Sequence, residues 1–360
     1  MKIAMMGAWN TDSGASIHAE LVGREWVKKG IDLKVFSFYR HSFHGTVITK
    51  TPEEEEEYVK RCFTVHYESG IPETELDAKP ILETDYDIFV AQDIGMLPLK
   101  QLLEIFPRIK KKARTINVVH DGTISKRPEF FQLDWDKVVC FDDRYFDFLK
   151  EKYPEDKLHI IPYPCSELKR GNKEEARKKL DLPKEKKIVF LFGMMAECGE
   201  DITFSLDTLA DKYDIMLLLC TKSERALKTF RRIQPKLRID LNIIEEAPSM
   251  DKLYEYLYAS DCLVYPKTSK PSVVIASTIS QCMGSGCPVI ALDSNFVYPL
   301  NDEVIKYRDS HEFTEGIIDI FEKGEKYKTQ QKAIEEYLKD NSGAAVAEKF
   351  IKLFDEMLSK

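Results

Sequence analysis

Short apolar runs alternate with longer amphipathic stretches along almost the whole chain. Runs of a few consecutive apolar residues are typical of buried strands, whereas apolar residues spaced three and four apart predict helices. The pattern predicts strands at residues 2–7, 33–38, 63–67, 88–91, 116–119, 138–141, 159–161, 188–192, 215–219, 239–244, 263–265 and 289–292. It predicts helices at residues 14–29, 53–61, 97–112 and 144–152, and a helical tail at residues 310–360.

This alternation predicts an α/β fold, because strand–helix–strand units join parallel strands through right-handed crossovers. Residues 163–185 interrupt the alternation with a Pro-, Lys- and Glu-rich stretch, which indicates a boundary between domains. We therefore expect two Rossmann-like, doubly wound domains, residues 1–165 and 166–340, whose parallel sheets face a central cleft. Residues 341–360 are expected to form a separate final helix.

The composition narrows the class of protein. The chain has 43% hydrophobic and 32% charged residues and a net charge of −8, which argues against nucleic acid as a partner. No apolar run approaches the roughly 20 residues that a membrane-spanning helix needs. Eight cysteines without a C-x-x-C pair favour reduced thiols in a cytoplasmic protein. No cluster of histidines and carboxylates at metal-ligand spacing is evident, so we expect no required metal or other cofactor.

The segment 261–294 carries the first candidate site. A polar loop with Lys267 and Lys270 follows the strand at residues 263–265, and Ser272 is expected to cap a helix that runs to about residue 283. Two lysines beside the unpaired N–H groups of a helix N-terminus suit a diphosphate. The same residues fit a capped surface helix with two solvated lysines, so residue types alone leave both interpretations open.

Other candidates follow predicted strands or begin a helix, where ligands bind to α/β sheets. In the first half these are Gly14, His18, Asp93 and His120, and in the second half they are Gly193 and Lys222. Histidine suits general-base catalysis near neutral pH. A histidine at either position also fits a structural role in which it donates to a backbone carbonyl.

Five segments resemble one known family over nearly the whole chain. They are KIAMMGAWNTDSGASIHAELVGREWVKKGIDLKVFSF, INVVHDG, KLHIIPYPCSELKRGNKEEARKKLDLP, KKIVFLFG and ASDCLVYPKTSKPSVVIASTISQCMGSGCPVIALDS. Their order and spacing are similar to those of the GT-B glycosyltransferases, specifically the group 1 or family 4 class. The resemblance implies a hexosyltransferase that uses a nucleotide-diphosphate sugar as co-substrate, and an acceptor that is a glycan, a lipid or a small molecule. It also implies that the final helix returns to the N-terminal domain.

The resemblance assigns roles to several candidates. Gly14 would lie against the donor phosphates or the acceptor, and His120 against the transferred sugar. His18 or His120 would serve as general base in an inverting displacement. The donor-binding residues would be Gly14, Gly193, Lys222, Lys267, Lys270, Ser272 and Gln281.

The chain differs from the family at positions where the family has charged residues. The family binds the diphosphate with an Arg and a Lys, and this chain has Met194 and Cys198 at those positions. The family also has a pair of glutamates, and the corresponding positions here are near Val273 and at Gln281. Lys267 and Lys270 would then hold the diphosphate, since a lysine point charge replaces part of an arginine contact. Two alternatives stay open: an inactive relative that binds a nucleotide sugar or a partner enzyme, and a sugar-nucleotide epimerase.

Overall fold

The chain forms two compact units in the computed structural model, which describes residues 1–42, 48–64 and 74–359. Unit 1 contains Met1–Pro164 and Gly343–Lys360, and unit 2 contains Cys165–Ser342. Within the described residues, unit 1 has a seven-stranded sheet and unit 2 a six-stranded sheet, and neighbouring strands in both run parallel. Two parallel sheets with intervening helices confirm the predicted α/β class.

Unit 1 is built on a sheet of order β3-β2-β1-β4-β5-β6-β7. Its strands are β1 Lys2–Met6, β2 Asp32–Phe38, β3 Val59–Phe63, β4 Ile88–Gln92, β5 Arg114–Val118, β6 Lys137–Cys140 and β7 Leu158–Ile160. Its first helices are α1 Gly14–Lys28, α2 Lys79–Glu83, α3 Leu99–Lys112 and α4 Asp143–Leu149. The central strands β1, β4 and β5 are almost wholly buried, as expected of apolar strands covered on both faces.

Unit 2 repeats this topology with the order β10-β9-β8-β11-β12-β13. Its strands are β8 Lys187–Phe192, β9 Ile215–Cys220, β10 Asp240–Ile244, β11 Cys262–Tyr265, β12 Val289–Leu292 and β13 Ile305–Tyr307. Its helices are α5 Lys173–Lys179, α6 Glu200–Asp207, α7 Glu224–Ile233, α8 Met250–Ala259, α9 Ser277–Met283, α10 Ser310–Glu322 and α11 Glu325–Asn341. In both units the strand order reverses beside the first strand, which is where open α/β sheets bind ligands.

The last helix, α12 Gly343–Leu358, packs on α1 within unit 1. The indole N–H of Trp26 donates to the Ala347 carbonyl over 3.3 Å, and the Trp26 ring lies 5.8 Å from Phe350 and 5.2 Å from Phe354. A Cβ atom at Gly343 would lie 2.8 Å from the Leu21 carbonyl oxygen, so only glycine allows the two helices to approach this closely. Among the described residues, no helix is both long and apolar enough to cross a membrane.

The helix predicted at residues 53–61 is wrong. A short 3₁₀ helix, Pro52–Glu54, is followed by a turn and then by β3. Glu55 accepts from the Arg61 Nε over 3.1 Å, and Glu56 accepts from Lys50 over 2.7 Å and from Asn10 over 2.9 Å. These carboxylates turn toward partners in the fold because such pairing outweighs their preference for a solvated helical turn. Of the strand predicted at residues 63–67, only Phe63 lies in an observed strand, where it is the last residue of β3. Residues 65–67 lie outside the described residues.

Glu56 gives a test of this ion-paired loop. Burial raises the pKa of Glu56, but hydrogen bonds from Lys50 and Asn10 outweigh it and bring the pKa to about 2. An unfolded glutamate has a pKa of about 4.3, so the ionised group stabilises the fold above that pH, and the contribution is lost as the pH falls through about 2. We expect Glu56→Gln to lower the free energy of unfolding at pH 7 by about 1 to 2 kcal/mol, allowing for solvent screening.

Urea denaturation at pH 7 and pH 3 measures this effect, which should shrink at the lower pH. The neighbouring Glu57 is exposed, so Glu57→Gln is the matched control and should change stability by less than about 0.5 kcal/mol. An equal loss for Glu56→Gln at both pH values would show that the charge of Glu56 does not stabilise the fold.

Candidate functional site

Both sheets bring candidate residues to the carboxyl ends of their central strands. In unit 1, the end of β1 and the end of β4 approach so closely that a Cβ atom at Gly7 would lie 2.7 Å from the Gln92 Cβ. Gln92 is the last residue of β4, and His120 follows the adjacent strand β5. The predicted candidates Gly14, His18, Asp93 and His120 all lie in this unit.

His120 is held by the side chain of Gln92. Its Nε2 lies 3.0 Å from the Gln92 Oε1. Because an amide oxygen only accepts, Nε2 carries the proton and Nδ1 keeps its lone pair. Burial lowers the pKa of His120 to about 3, so the ring is neutral at physiological pH. His120 can therefore act as a hydrogen-bonding group, but it is a weak proton acceptor.

His18 is fully buried beside His120. The two ring centroids lie 5.2 Å apart in a T-shaped arrangement, and the ring of Phe141 lies 5.2 Å from that of His18. Burial, and then the neighbouring His120, lower the pKa of His18 well below its ordinary value. Within the described residues, neither ring nitrogen has a hydrogen-bond partner of ordinary geometry. This environment favours a packing role for His18 over the predicted role of general base.

Gly14 is the first residue of α1, and its carbonyl accepts a hydrogen bond from the Tyr163 hydroxyl over 2.6 Å. Ser13 caps this helix, accepting from the Ser16 N–H over 3.2 Å. The Tyr163 ring also lies 5.4 Å from His18. Tyr163 thus links the start of α1 to the ring of His18.

Two carboxylates lie beside the Gln92–His120 pair. Asp93 follows Gln92 with a left-handed φ of 56°, and Asp121 follows His120. A Cβ atom at Gly95 would lie 3.1 Å from one oxygen of each carboxylate, so those two oxygens are at most about 6 Å apart. Burial, and then the charge of Asp121, raise the pKa of Asp93 to about 7.

In unit 2 the lysines predicted to bind diphosphate share one aromatic ring. The Nζ of Lys267 lies 5.3 Å, and that of Lys270 5.8 Å, from the ring centroid of Phe296. Burial, and then the charge of Lys270, lower the pKa of Lys267. Within the described part of the chain, neither lysine forms an ion pair with a carboxylate. The charge of Glu197 partly offsets the repulsion between the two lysines, but it forms no salt bridge with Lys267.

The helix after this loop begins at Ser277, and the prediction that Ser272 caps it is wrong. The Asn295 side-chain amide donates to the Lys270 carbonyl over 2.7 Å and to the Ser272 carbonyl over 2.9 Å. These bonds keep residues 270–272 out of the helix. The lysines therefore lie in a loop fixed by Asn295 and Phe296, two residues that the sequence did not single out. The only signal for them was their position just after the predicted strand at residues 289–292.

The other predicted donor-binding residues also lie in unit 2. Gly193 follows β8 with a φ of 65°, a conformation that favours glycine, and its carbonyl accepts from the Thr221 hydroxyl over 3.0 Å. Lys222 is exposed just after β9. Gln281 is half-buried in α9, with its amide nitrogen 2.7 Å from the Met250 sulfur.

The described residues contain no group of three or more histidine, cysteine or acidic side chains arranged to hold a metal ion. Two Asp-x-Asp pairs, at residues 85–87 and 134–136, precede β4 and β6, at the edge opposite the candidate site. Asp85 binds Lys2 over 2.6 Å, and Asp134 binds Lys157 over 2.7 Å. Asp85 and Asp134 thus form ion pairs near the amino ends of the strands.

No protein-family model matches the chain. Several solved structures match it along nearly its full length. A glycosyltransferase from Rickettsia africae is 18% identical with a TM-score of 0.70, covering 99% of this chain and 98% of that one. Sucrose-phosphate synthase from Thermosynechococcus elongatus is 15% identical with a TM-score of 0.67, covering 100% and 99%. Anabaena HepE, solved in complex with UDP, is 13% identical with a TM-score of 0.69, covering 99% and 100%.

These structures match the fold of this chain across both units. The chain has the GT-B fold. The resemblance drawn from the sequence segments is thereby confirmed at the level of the fold. In this GT-B chain, Met194 is 64% exposed and Cys198 is also exposed, in the 3₁₀ helix Gly193–Cys198 that follows β8. The positions at which the resemblance places basic residues are therefore accessible but uncharged.

Proposed function

We propose that this chain is a glycosyltransferase that moves a sugar from a nucleotide-diphosphate sugar to an acceptor. The observation that carries the proposal is the pair Lys267 and Lys270, held over Phe296 without a bound counter-charge. Lys267 is partly buried and Lys270 is exposed, and two neighbouring ammonium groups repel each other unless an anion joins them. A diphosphate supplies that charge, and its oxygens accept charge-assisted hydrogen bonds from lysine.

The fold supports the same assignment. Sucrose-phosphate synthase and the Rickettsia glycosyltransferase share it, and the HepE structure holds UDP. The loop that carries Lys267 and Lys270 follows β11, one of the two strands beside the reversal point of the unit 2 sheet. Gly193, after β8, is on the other side of that point, where its lack of a side chain leaves room for a ligand.

A second candidate function is that of an inactive relative that still binds a nucleotide sugar. The uncharged, accessible Met194 and Cys198 favour it, because they remove two basic contacts from the donor side. Cleavage of nucleotide sugars by the purified protein distinguishes the two functions. An active transferase releases nucleoside diphosphate, whereas an inactive relative binds the same compounds and leaves them intact.

The lysine pair gives the direct test. We expect Lys267→Ala/Lys270→Ala to weaken the binding of nucleoside diphosphates by about 2 to 4 kcal/mol, or roughly 30- to 700-fold, because two charge-assisted bonds are lost. Isothermal titration calorimetry with UDP, GDP and ADP measures this change. The corresponding nucleosides lack the diphosphate and should bind the variant and the wild type about equally.

The control is a second double variant, Lys228→Ala/Lys236→Ala, which removes two exposed lysines of unit 2 outside the loop. It carries the same change in net charge and should leave diphosphate affinity within about twofold, since exposed charges are screened. If both double variants weaken binding equally, the effect is one of net charge, and Lys267 and Lys270 are not the diphosphate site.

A further inference from the structure

Cys198 differs from every other cysteine of this chain. All eight cysteines lie in the described residues, and each of the others is buried while Cys198 is exposed. Burial raises the pKa of the Cys62, Cys140 and Cys220 thiols to about 12, so these groups stay protonated near pH 7. A thiolate, and not a thiol, is the nucleophile in cysteine chemistry. Cys198 is therefore the cysteine that a reagent in solution reaches.

The fold places Cys198 at the carboxyl edge of the unit 2 sheet. It is the last residue of the 3₁₀ helix Gly193–Cys198, which follows β8 directly. A Cβ atom at Gly199 would overlap the Leu191 side chain, so the backbone beside Cys198 is packed against the core. β11 pairs with β8, and Lys267 follows the end of β11. Cys198 and Lys267 therefore lie just beyond the carboxyl ends of two adjacent strands.

Cys198 also lies close enough to Lys267 for their charges to interact. Burial, and then the charge of Lys270, lower the pKa of Lys267. Charges on Cys198 and Glu197 act on Lys267 in the opposite direction. The Glu197 carboxylate, however, accepts a hydrogen bond from the hydroxyl of Ser223, the residue that caps α7. Lys267 thus presents a positive charge beside an accessible sulfur.

Two buried hydroxyl groups on the neighbouring strands lack partners in the same region. Tyr307, the last residue of β13, is 3% exposed, and Ser294, just after β12, is 8% exposed. Within the described residues, neither side-chain oxygen has a hydrogen-bond partner. Burial, and then the charge of Cys198, raise the pKa of Tyr307, so the Tyr307 hydroxyl lies near the sulfur. Buried polar atoms without partners call for a ligand or ordered water, so the region beside Cys198 suits a polar ligand.

We propose that Cys198 is a thiol modification site that takes a small anionic disulfide, with Lys267 and Lys270 attracting the carboxylates of that disulfide. The Cys198 thiolate attacks one sulfur of the disulfide, and a new S–S bond forms to Cys198. The S–S bond of the reagent breaks, and its other half leaves with the electron pair and takes up the proton that Cys198 released. Cys198 is oxidised and the departing half is reduced, so atoms and electrons balance.

The adduct occupies the charges that the proposed function assigns to a diphosphate, and this consequence rests on that function. The carboxylates of the attached thiol and the oxygens of a diphosphate are both anionic and pair with the same two ammonium groups. The mixed disulfide and a bound nucleoside diphosphate therefore exclude each other. Reduction of the mixed disulfide restores the free thiol and the binding of diphosphate.

Peptide mass spectrometry of the native protein after treatment with glutathione disulfide locates the adduct. We expect it on Cys198 and not on the buried cysteines, because a buried thiol forms little thiolate and is not reached by the reagent. Cys198→Ser should remain unmodified under the same conditions. If glutathione disulfide leaves Cys198 free, or modifies the buried cysteines of the native protein equally fast, the assignment of the site is wrong.

The role of the lysines is measured by comparing two reagents, glutathione disulfide, which is anionic, and cystamine, which is cationic. Lys267→Ala/Lys270→Ala should lower the ratio of their rate constants at Cys198 by roughly 3- to 30-fold, since each exposed charge contributes a modest attraction. The ratio cancels any change in the reactivity of the sulfur itself. The matched control Lys228→Ala/Lys236→Ala should leave the ratio within about twofold. An unchanged ratio in the first variant would show that Lys267 and Lys270 do not attract the reagent.

Isothermal titration calorimetry with UDP, GDP and ADP, before and after treatment with glutathione disulfide, tests the mutual exclusion. The adduct should weaken diphosphate binding by at least about tenfold, and a reducing thiol should restore it. Bound diphosphate should in turn slow the formation of the adduct, because the linkage between the two is reciprocal. For Cys198→Ser, the affinity should be the same before and after treatment.

The outcomes separate this inference from the proposed function. If the wild type binds no nucleoside diphosphate, the proposed function fails, while the modified peptide and the ratio of rate constants still decide whether Cys198 is the modification site. If Cys198 is modified and diphosphate binds equally well with and without the adduct, Cys198 lies outside the diphosphate site and the mutual exclusion is wrong.

Discussion

His120→Ala is expected to reduce turnover of the natural donor by about 10² to 10⁴ and to leave nucleoside diphosphate affinity unchanged. We predict that His120 contacts the transferred sugar through the ring nitrogen that does not face Gln92. Because burial keeps the pKa of His120 at about 3, the ring stays neutral from pH 5 to pH 8. The fractional loss of turnover should therefore be the same across that range.

The competing account is a structural histidine that packs against His18 and Phe141. His120→Phe separates the two accounts, since it keeps an aromatic ring but has no hydrogen-bonding nitrogen. A contact with the sugar predicts that His120→Phe is as inactive as His120→Ala while melting close to the wild type. A packing role predicts that the phenylalanine restores both stability and turnover. Single-turnover kinetics and thermal melts of the two variants decide between them.

Asp261→Ala is expected to lower the free energy of unfolding of unit 2 by about 3 to 5 kcal/mol. Asp261 accepts from the Arg177 guanidinium over 3.0 Å, from Lys173 over 2.6 Å and from the Ile188 backbone N–H over 2.8 Å. Arg177 is only 5% exposed, so removal of the carboxylate leaves a buried guanidinium without its counter-charge. The loss should be largest where α5 meets the start of β8.

The three tryptophans, Trp9, Trp26 and Trp135, lie in unit 1, so their fluorescence does not report on unit 2 directly. Hydrogen exchange resolved by peptide is the suitable measurement. It should show lost protection in β8 and α5 of Asp261→Ala and an unchanged pattern in β1 and β4. The control is Glu322→Ala, which removes the exposed ion pair with Lys212 and should cost less than about 1 kcal/mol. Equal effects of the two variants would show that the buried pair contributes no more than a surface one.

The sequence was sufficient for most of the two sheets. Buried central strands are continuous apolar runs, so their positions follow from residue types; the predicted strand at residues 289–292 matches β12, Val289–Leu292. The edge strands were harder to predict from the sequence. β13 is only three residues long, and β3 follows a run of glutamates whose pattern favoured a helix. Their conformation is fixed by ladder bonds and ion pairs with residues distant in sequence, which local preference does not report.

Residue types and strand ends also indicated the candidate residues, because ligands bind at the carboxyl ends of parallel strands. Only the tertiary structure decided what each side chain does. Burial determines that His120 is neutral, and burial together with the charge of Asp121 raises the pKa of Asp93. The side chain of Asn295 bonds to the Lys270 and Ser272 carbonyls, and α9 begins at Ser277 and not at Ser272. Desolvation and charge–charge repulsion depend on distances between segments far apart in the chain. The sequence determined which groups stand at the strand ends, and folding determined their protonation and their partners.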